Sequence, residues 1–511
     1  MKSNKKGVVV FKSYDPNQQM LLPPSLESLI PVGHPVRVVN EVVEKIDLSV
    51  LSEQYKGGGT SSYHPKMLLK ILIYGYLSNI YSSRKLEAAV QESIYLMWLS
   101  GMARPDHHTI NRFRSERLKD VLKEVFAQVA MMLNESEHLD LKEVYTDGTK
   151  IEANANRYTF VWGKAIKTSK ERIVKQLEEL WAYTQQVAKA ELEETVPDLT
   201  AIDAKKVRET IEKINTALKD KQVDKKVAQK LNYAKKEWPA KLDKYEQQQE
   251  ILKDRGSYSK TDPDATFMRM KEDHMLNGQL KPGYNVQIST NKQFITHYSI
   301  HQKPNDTTTL VPHLEGFKKQ YNRLPENITA DAGYGSQENY TFLEDNQVEA
   351  FVKYNYFHKE QRTKKMDEPG KVDNLFYNKE QDCFYCPMGQ QMKKIGSYKK
   401  KTDTGFEQEY IRYQAKNCEN CPLKSVCHKS KENRIIDINH ELIRLKARAK
   451  ELLLSEEGIK HRKQRPADVE PVFGNIKQNK NFKRFLLRGL KKVEIEIGLI
   501  ALAHNLAKKA A

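Results

Sequence analysis

The sequence predicts an α/β protein: a mixed sheet flanked by helices, preceded by an all-helical region and carrying a charged helical insertion and a Cys-rich insert. Three observations point there. Between residues 142 and 354, strand-like runs alternate with an insertion and helices in the order β, insertion, ββ, α, β, α, β. Residues 1–135 carry apolar side chains at helical spacing throughout. Two stretches then depart in composition, 164–257 towards Lys, Glu, Gln and Ala, and 360–435 towards Lys with all five cysteines. The expected organisation is a helical domain over 1–135 and an α/β domain over 140–511 that contains both inserts.

In the first region, Pro65 suits the first position of a helix carrying Met67, Leu68, Ile71 and Leu72. Ser78–Ser83 makes a turn into a second helix, with Leu86, Val90 and Ile94, that stops at Gly101. Asp106 caps a third helix from Ile110 to Val125, with Arg112, Arg114, Arg117 and Lys119 at its polar positions. A DNA-binding helical module and an ordinary bundle with a solvated basic face both fit that pattern. Further on, residues 142–160 read as β-structure around Asp147, and 164–257 as one or two long exposed helices. Gly283–Ser289 and Phe294–Ile300 form a hairpin turning at Asn291-Lys292. A helix over Thr307–Tyr321, capped by Asn305 or Asp306, leads to a strand ending at Asp331, a helix near Ser336–Asn346 and a strand at Val348–Tyr354. Residues 360–435 read as loop-rich, and 435–511 as helical again.

Length and composition narrow the class. The chain has 511 residues, 39% hydrophobic and 30% charged, which allows two to four domains with ample core. No stretch reaches the roughly 20 apolar residues that span a bilayer, and the apolar run after the basic start Met1–Lys6 is too short for a signal peptide. Five cysteines, one left over from any pairing, suit a reducing compartment, so the cytoplasm is expected. The net charge of +18 favours nucleic acid or an anionic surface as partner. Between Lys460 and Lys492, eleven basic residues stand against two acids, interleaved with Phe473, Phe482 and Phe485, and Pro, Gly and Asn interruptions argue against a membrane-surface helix.

Carboxylates stand out against that charge. Asp147 and Asp331 each close an apolar approach before a glycine turn, and Glu470 lies inside the most basic stretch, with separations of 184 (331 minus 147) and 139 (470 minus 331) residues. Acids in a protein that gathers polyanions are explained by divalent metal at a phosphodiester. Each also has an ordinary reading: Asp147 as a turn residue before Gly148, and Glu470 as one of several acids beside Glu451, Glu456, Glu457 and Glu494. Asp306 serves as a helix cap or as a supporting acid, and Trp162 packs in a core or stacks on a base. Cys383-x2-Cys386 and Cys418-x2-Cys421-x5-Cys427 have the pair spacing of zinc knuckles, across a gap of 31 residues. Reduced, unligated thiols are the other reading.

Thr146-Asp147-Gly148-Thr149-Lys150 through Asn156, Ala330-Asp331-Ala332-Gly333-Tyr334, Val469-Glu470-Pro471-Val472-Phe473-Gly474 and Arg488-Gly489-Leu490 together resemble the DDE transposases of bacterial insertion sequences. The region from His64 to Arg114 is similar to the domain that precedes their catalytic core. The resemblance runs over nearly the whole chain, and four motifs in the expected order are far more specific than one. It implies an RNase H-like core in which Asp147, Asp331 and Glu470 hold Mg²⁺ or Mn²⁺. Water then attacks the phosphodiester at the element's end, and the freed 3′-hydroxyl attacks target DNA. It implies double-stranded DNA, the element's terminal inverted repeats and a target, as partner, and a homo-oligomer that handles two ends. Lys477, seven residues after Glu470, matches the family's phosphate-contacting lysine. The companion arginine is expected at 466, where Pro466 stands, with Arg465 one place off, and Lys463 replaces the upstream tyrosine. Arg488, Arg112 and Arg114 are further expected DNA contacts. Cys386, Cys418, Cys421 and Cys427 resemble a Cys-rich insert of one branch and imply structural Zn²⁺, with Cys383 or His428 as substitutes. A catalytically inactive, transposon-derived DNA-binding regulator is the alternative function, and a general nuclease a third.

Overall fold

The computed structural model describes residues 24–53, 55, 62–188, 202–270, 278–362 and 370–511. The N-terminal segment Met1–Phe11 and parts of both inserts lie outside the described residues.

The helical region comprises α1 (Pro35–Lys45), α2 (Ser49–Glu53), α3 (Pro65–Leu77), α4 (Ser83–Glu92), α5 (Ile94–Ser100), α6 (His107–Arg112) and α7 (Leu122–Glu135). Proline opens α1 and α3, where its missing N–H leaves no bond unmade. Each is preceded by a histidine, His34 or His64, whose Nδ1 accepts from the backbone N–H two residues on at 3.2 Å. Gly101 ends α5 at φ +57°, and Asp106 caps α6 by accepting from Thr109 N at 2.7 Å, both as the sequence predicts. The third predicted helix is broken, however. Phe113–Arg117 forms a π-helical turn that buries Phe113, Arg114 and Ser115 in succession.

The main sheet begins with β1 (Glu143–Glu152). β2 (Phe160–Trp162) and β3 (Ser257–Ser259) pair as a two-stranded stem. Through it passes the insertion, which has three helices where one or two are predicted: α8 (Gly163–Val187), α9 (Ala204–Ala217) and α10 (Lys225–Leu252). They enclose a small core of their own around Leu177, Trp181, Val207, Ile214 and Trp238. The sheet resumes with β4 (Thr266–Arg269), β5 (Leu280–Asn291) and β6 (Phe294–His301). The hairpin turns on Lys292 and Gln293, both at positive φ, one residue later than predicted. α11 (Leu310–Tyr321), β7 (Asn327–Ala330), α12 (Gln337–Asp345), β8 (Glu349–Val352) and α13 (Phe357–Arg362) follow. The strand order is β4-β5-β1-β7-β8 with β6 also on β5; β5 runs antiparallel to β1, while β7 and β8 run parallel to it. The mixed sheet expected from the sequence is thus present.

Residues 360–435 are less irregular than predicted. β9 (Phe376–Asn378), β10 (Cys383–Tyr385), β11 (Gln391–Lys401), β12 (Glu407–Ala415) and β13 (Ile435–Ile438) form an antiparallel sheet, with α14 (Lys424–Cys427) in its last connection. Lysines on both faces of the exposed β11 hide the alternation that marks a half-buried strand. α15 (His440–Leu454), α16 (Glu456–Gly474) and α17 (Leu490–Ala510) close the chain.

A single apolar core runs from α1 through the sheet to α17, so the helical region and the sheet share one interior. α17 is buried on nearly every side, its sequence being apolar all round. Its N-terminus is capped by two acids of the loop before β4: Gly489 N donates to Asp262 at 3.1 Å, and Leu490 N to Asp264 at 2.9 Å. No helix of the described residues is long and apolar enough to cross a membrane.

Glu496, fully buried on α17, ties these parts together. Its Oε2 accepts from Leu486 N and Leu487 N at 3.0 and 2.8 Å, and Tyr76 of α3 approaches its Oε1 at 3.4 Å. Burial raises its pKa from 4.5 to about 6. The folded state therefore binds this proton more tightly than the unfolded chain does. Stability from it is complete below pH 4.5 and is lost as pH rises through 6, a change of about 2 kcal/mol. Glu496→Gln keeps an accepting oxygen and should flatten the stability–pH curve between these values. Parallel curves for the two proteins in pH-dependent melting would refute this assignment.

Candidate active site

The parallel register places two of the predicted acids side by side. β1 and β7 pair Tyr145 with Thr329, and β7 and β8 pair Ala330 with Val352. Carried to the strand ends, the same register sets Asp147, Asp331 and Lys353 in one row. Side chains alternate across a strand, and contacts fix the faces. Tyr145 meets His461 of α16 at 3.1 Å, and the ring of Phe351 lies 4.4 Å from that of His461. The row of Asp147, Asp331 and Lys353 lies one step further along that face. Thr146 points the other way, to Ser289 at 2.8 Å, which in turn meets the buried His313 of α11 at 2.8 Å.

Both aspartates fix one oxygen locally: Asp147 Oδ1 accepts from Gly148 N and Asp331 Oδ1 from Gly333 N, each at 2.8 Å. Their other oxygens converge on Arg465 of α16, whose Nη2 lies 3.1 Å from Asp147 Oδ2 and 3.7 Å from Asp331 Oδ2. Arg465 and Asp147 are buried, whereas the Asp331 side chain is 43% exposed and marks the mouth of the site. Arg465 Nε has no hydrogen-bond partner among the described residues.

Asp306 corrects an expectation. It does not cap α11, and Asn305 makes no capping bond either; a 3₁₀ turn over Asp306–Thr308 precedes the helix. Asp306 Oδ1 instead accepts from Asn285 Nδ2 at 2.7 Å and Gln287 Nε2 at 2.9 Å. A Cβ on Gly148 would stand 2.8 Å from Asp306 Oδ1 and collide with the Gln287 amide, so the glycine after Asp147 makes room for this acid. Buried Tyr334 donates to Gln287 Oε1, and burial with the charges of Asp306, Asp147 and Asp331 drives its pKa far up.

Lys353 is the site residue the sequence reading missed. Its signal is its place directly after the apolar strand Ala350-Phe351-Val352, the place Asp331 holds after Ile328-Thr329-Ala330. Burial, then Arg465 and Arg462, lower its pKa, while Asp331 and Glu470 oppose the shift. Lys353 therefore lies within electrostatic reach of both acids. Glu470 itself is exposed on α16, five residues and about 140° of helical turn from Arg465. Among the described residues, no three His, Cys, Asp or Glu side chains are grouped to hold a metal ion; Asp147 and Asp331 converge, and Glu470 stands apart.

The expected DNA contacts divide by exposure. Arg112 is exposed and pairs with Glu116 at 3.3 Å. Arg488 is exposed, with Nε donating to Asn154 O at 2.8 Å. Lys477 is buried in a π-helical turn over Asn475–Asn479. Arg114 is buried, donating to Tyr81 O at 2.6 Å, Asn111 Oδ1 at 3.1 Å and Tyr76 Oη at 3.3 Å, which makes it a tie between helices. Trp162 packs against Phe160 and Phe267. Two of the sequence motifs also meet: Glu152 N donates to Lys483 O and Phe485 N to Glu152 O, laying 483–485 along the end of β1.

The thiols of Cys386, Cys418, Cys421 and Cys427 line one small cavity with His428 and Arg434. The expected zinc site is not formed among the described residues, where no three of these side chains are grouped to hold a metal ion. Arg434 Nη1 donates to Cys427 Sγ at 2.8 Å, and the Arg434 backbone N–H donates to Cys418 Sγ at 3.3 Å. Cys383 lies on β10, its sulfur accepting from Gln391 at 3.1 Å.

Comparison with known families gives two matches. Residues 24–116 match a family described as a transposase domain, and residues 385–510 match a transposase DDE domain. The second span contains Arg465 and Glu470, while Asp147 and Asp331 lie between the two. Both matches are to transposase domains, and together they indicate a DDE-type transposase of insertion sequences. No curated protein and no solved structure was found to match it.

Proposed function

We propose that this transposase binds the terminal inverted repeats of its element and catalyses metal-dependent DNA cleavage and strand transfer at Asp147 and Asp331. The convergence of these two carboxylates on one cationic group carries the reading. Hard oxygen donors around a position already held by positive charge fit Mg²⁺ or Mn²⁺. The sheet order, with one antiparallel hairpin beside three parallel strands, supports an RNase H-like core. Asp147, Asp331 and, from α16, Glu470 would hold the ion, which when bound activates the attacking oxygen and stabilises the leaving one. The chain's own residues position the substrate: Asp306 backs β1 at Gly148, beside Asp147, and Lys353 offers an ammonium to the phosphate at the mouth. Attack by water forms one O–P bond as the bond to the 3′-oxygen breaks, leaving the 3′-hydroxyl that strand transfer uses. Arg112, Lys463 and Arg488 supply exposed positive charge for the backbone. Cutting two ends together calls for two or more copies of the chain.

The test is incubation of the protein with Mn²⁺ or Mg²⁺ and DNA carrying the repeats that flank its gene, beside Asp331→Asn. Cleavage at the repeat ends, lost in the variant, is the expected result. Binding without cutting would favour the inactive regulator, and cutting indifferent to the repeats a general nuclease.

A further inference from the structure

We propose that Arg465 is the resident counter-ion of the Asp147–Asp331 pair, displaced by the divalent cation and then used to grip a DNA phosphate. The proposal rests on the metal-dependent reading above. Parallel register brings Asp147, midway along β1, level with Asp331 just past the end of β7, where unrelieved the two carboxylates would repel. Arg465 relieves this: Nη2 stands 3.1 and 3.7 Å from the very oxygens that a cation would need. A guanidinium and a dication sharing the same two oxygens in a buried site repel strongly, so occupancy by one excludes the other.

What surrounds Arg465 distinguishes it from a structural arginine. Its Nε has no hydrogen-bond partner among the described residues, a trait it shares with the structural Arg114, so the distinction lies in the opening of the site. The site opens on the Asp331 side, where the Lys353 side chain has no hydrogen bond or ion pair among the described residues and faces the same row. A side chain leaving the carboxylates has this mouth to move into. There the planar guanidinium and the Lys353 ammonium form a cationic pair suited to a phosphodiester. Metal loading and substrate grip are thereby coupled: the arginine becomes available to DNA only when the carboxylates are occupied.

The experiment titrates Mn²⁺ alone into the full chain without DNA, reading free Mn²⁺ by electron paramagnetic resonance, for wild type, Arg465→Met and Asp147→Asn. Arg465→Met should bind Mn²⁺ about tenfold tighter or better, because the competing cation is gone. Asp147→Asn should lose binding. In the wild type, Mn²⁺ should raise phenylglyoxal modification of Arg465, mapped by mass spectrometry, which keeps the test decisive if the methionine variant does not fold. Unchanged or weaker binding by Arg465→Met, with binding still lost in Asp147→Asn, overturns the exchange and leaves the metal site standing. Modification of Arg465 that ignores Mn²⁺ overturns it likewise. Equal binding by wild type and Asp147→Asn removes the carboxylate site itself, and this proposal with it.

Discussion

Asp147→Asn should lower cleavage at the element ends by at least about 10³-fold, roughly 4 kcal/mol of transition-state stabilisation, while leaving DNA binding and folding close to wild type. The expectation follows from what asparagine keeps and loses. Its amide oxygen can still accept from Gly148 N within β1, and its shape still fits under α16. Arg465 retains Asp331, so no buried charge is stranded. What disappears is one anionic oxygen at the point where the two strands deliver their charge. Arg112 and Arg488, the exposed residues proposed to meet the DNA backbone, lie elsewhere and keep their charge in the variant. Cleavage assays beside electrophoretic mobility shifts check both halves. Near-normal cutting by the variant would remove Asp147 from the mechanism, and loss of binding together with cutting would make its role structural.

The aspartates were legible because each closes an apolar run just before a glycine, a pattern local in sequence, although Gly148 continues β1 and makes no turn. Their adjacency was not, since 184 residues separate them and only the pairing of Tyr145 with Thr329 brings them level. Arg465 was legible as a basic residue but not in its direction. One residue of offset from position 466 rotates a side chain about 100° around the helix, from the face of Glu470 towards the sheet. Asp306 looked like a cap because Asn-Asp before a helical run ordinarily is one; its diversion depends on Asn285 and Gln287, two strands away in the chain. The π-helical turn at Phe113–Arg117 escaped because apolar spacing there still suits an unbroken helix. Lysines on both faces of β11 concealed a whole strand.

Gly458→Ala should cost about 3 kcal/mol and also depress cleavage, although the residue touches nothing in the site. α15 and α16 meet at a single residue, Ser455, whose Oγ accepts from Gly458 N at 3.0 Å and donates to Leu452 O at 2.7 Å. That corner is so tight that a Cβ on Gly458 would collide with Leu452 O and lie 2.8 Å from Leu453 Cα. Both obstacles are backbone, so no side chain can swing aside; the first turn of α16 must move. Arg465 is seven residues further along the same helix, about 10 Å, and its hold on Asp147 and Asp331 depends on the helix's seating. Gly474→Ala supplies the control. It lies at the other end of α16 with nothing within 4 Å of its Cβ position, so alanine there should be neutral or stabilising by up to about 1 kcal/mol. Chemical denaturation and cleavage of all three proteins separate the effects: Asp147→Asn loses activity alone, Gly458→Ala loses both, and Gly474→Ala neither. A Gly458→Ala protein of wild-type stability would mean that the α15–α16 corner yields, and that α16 is not held against the carboxylates by its entry turn.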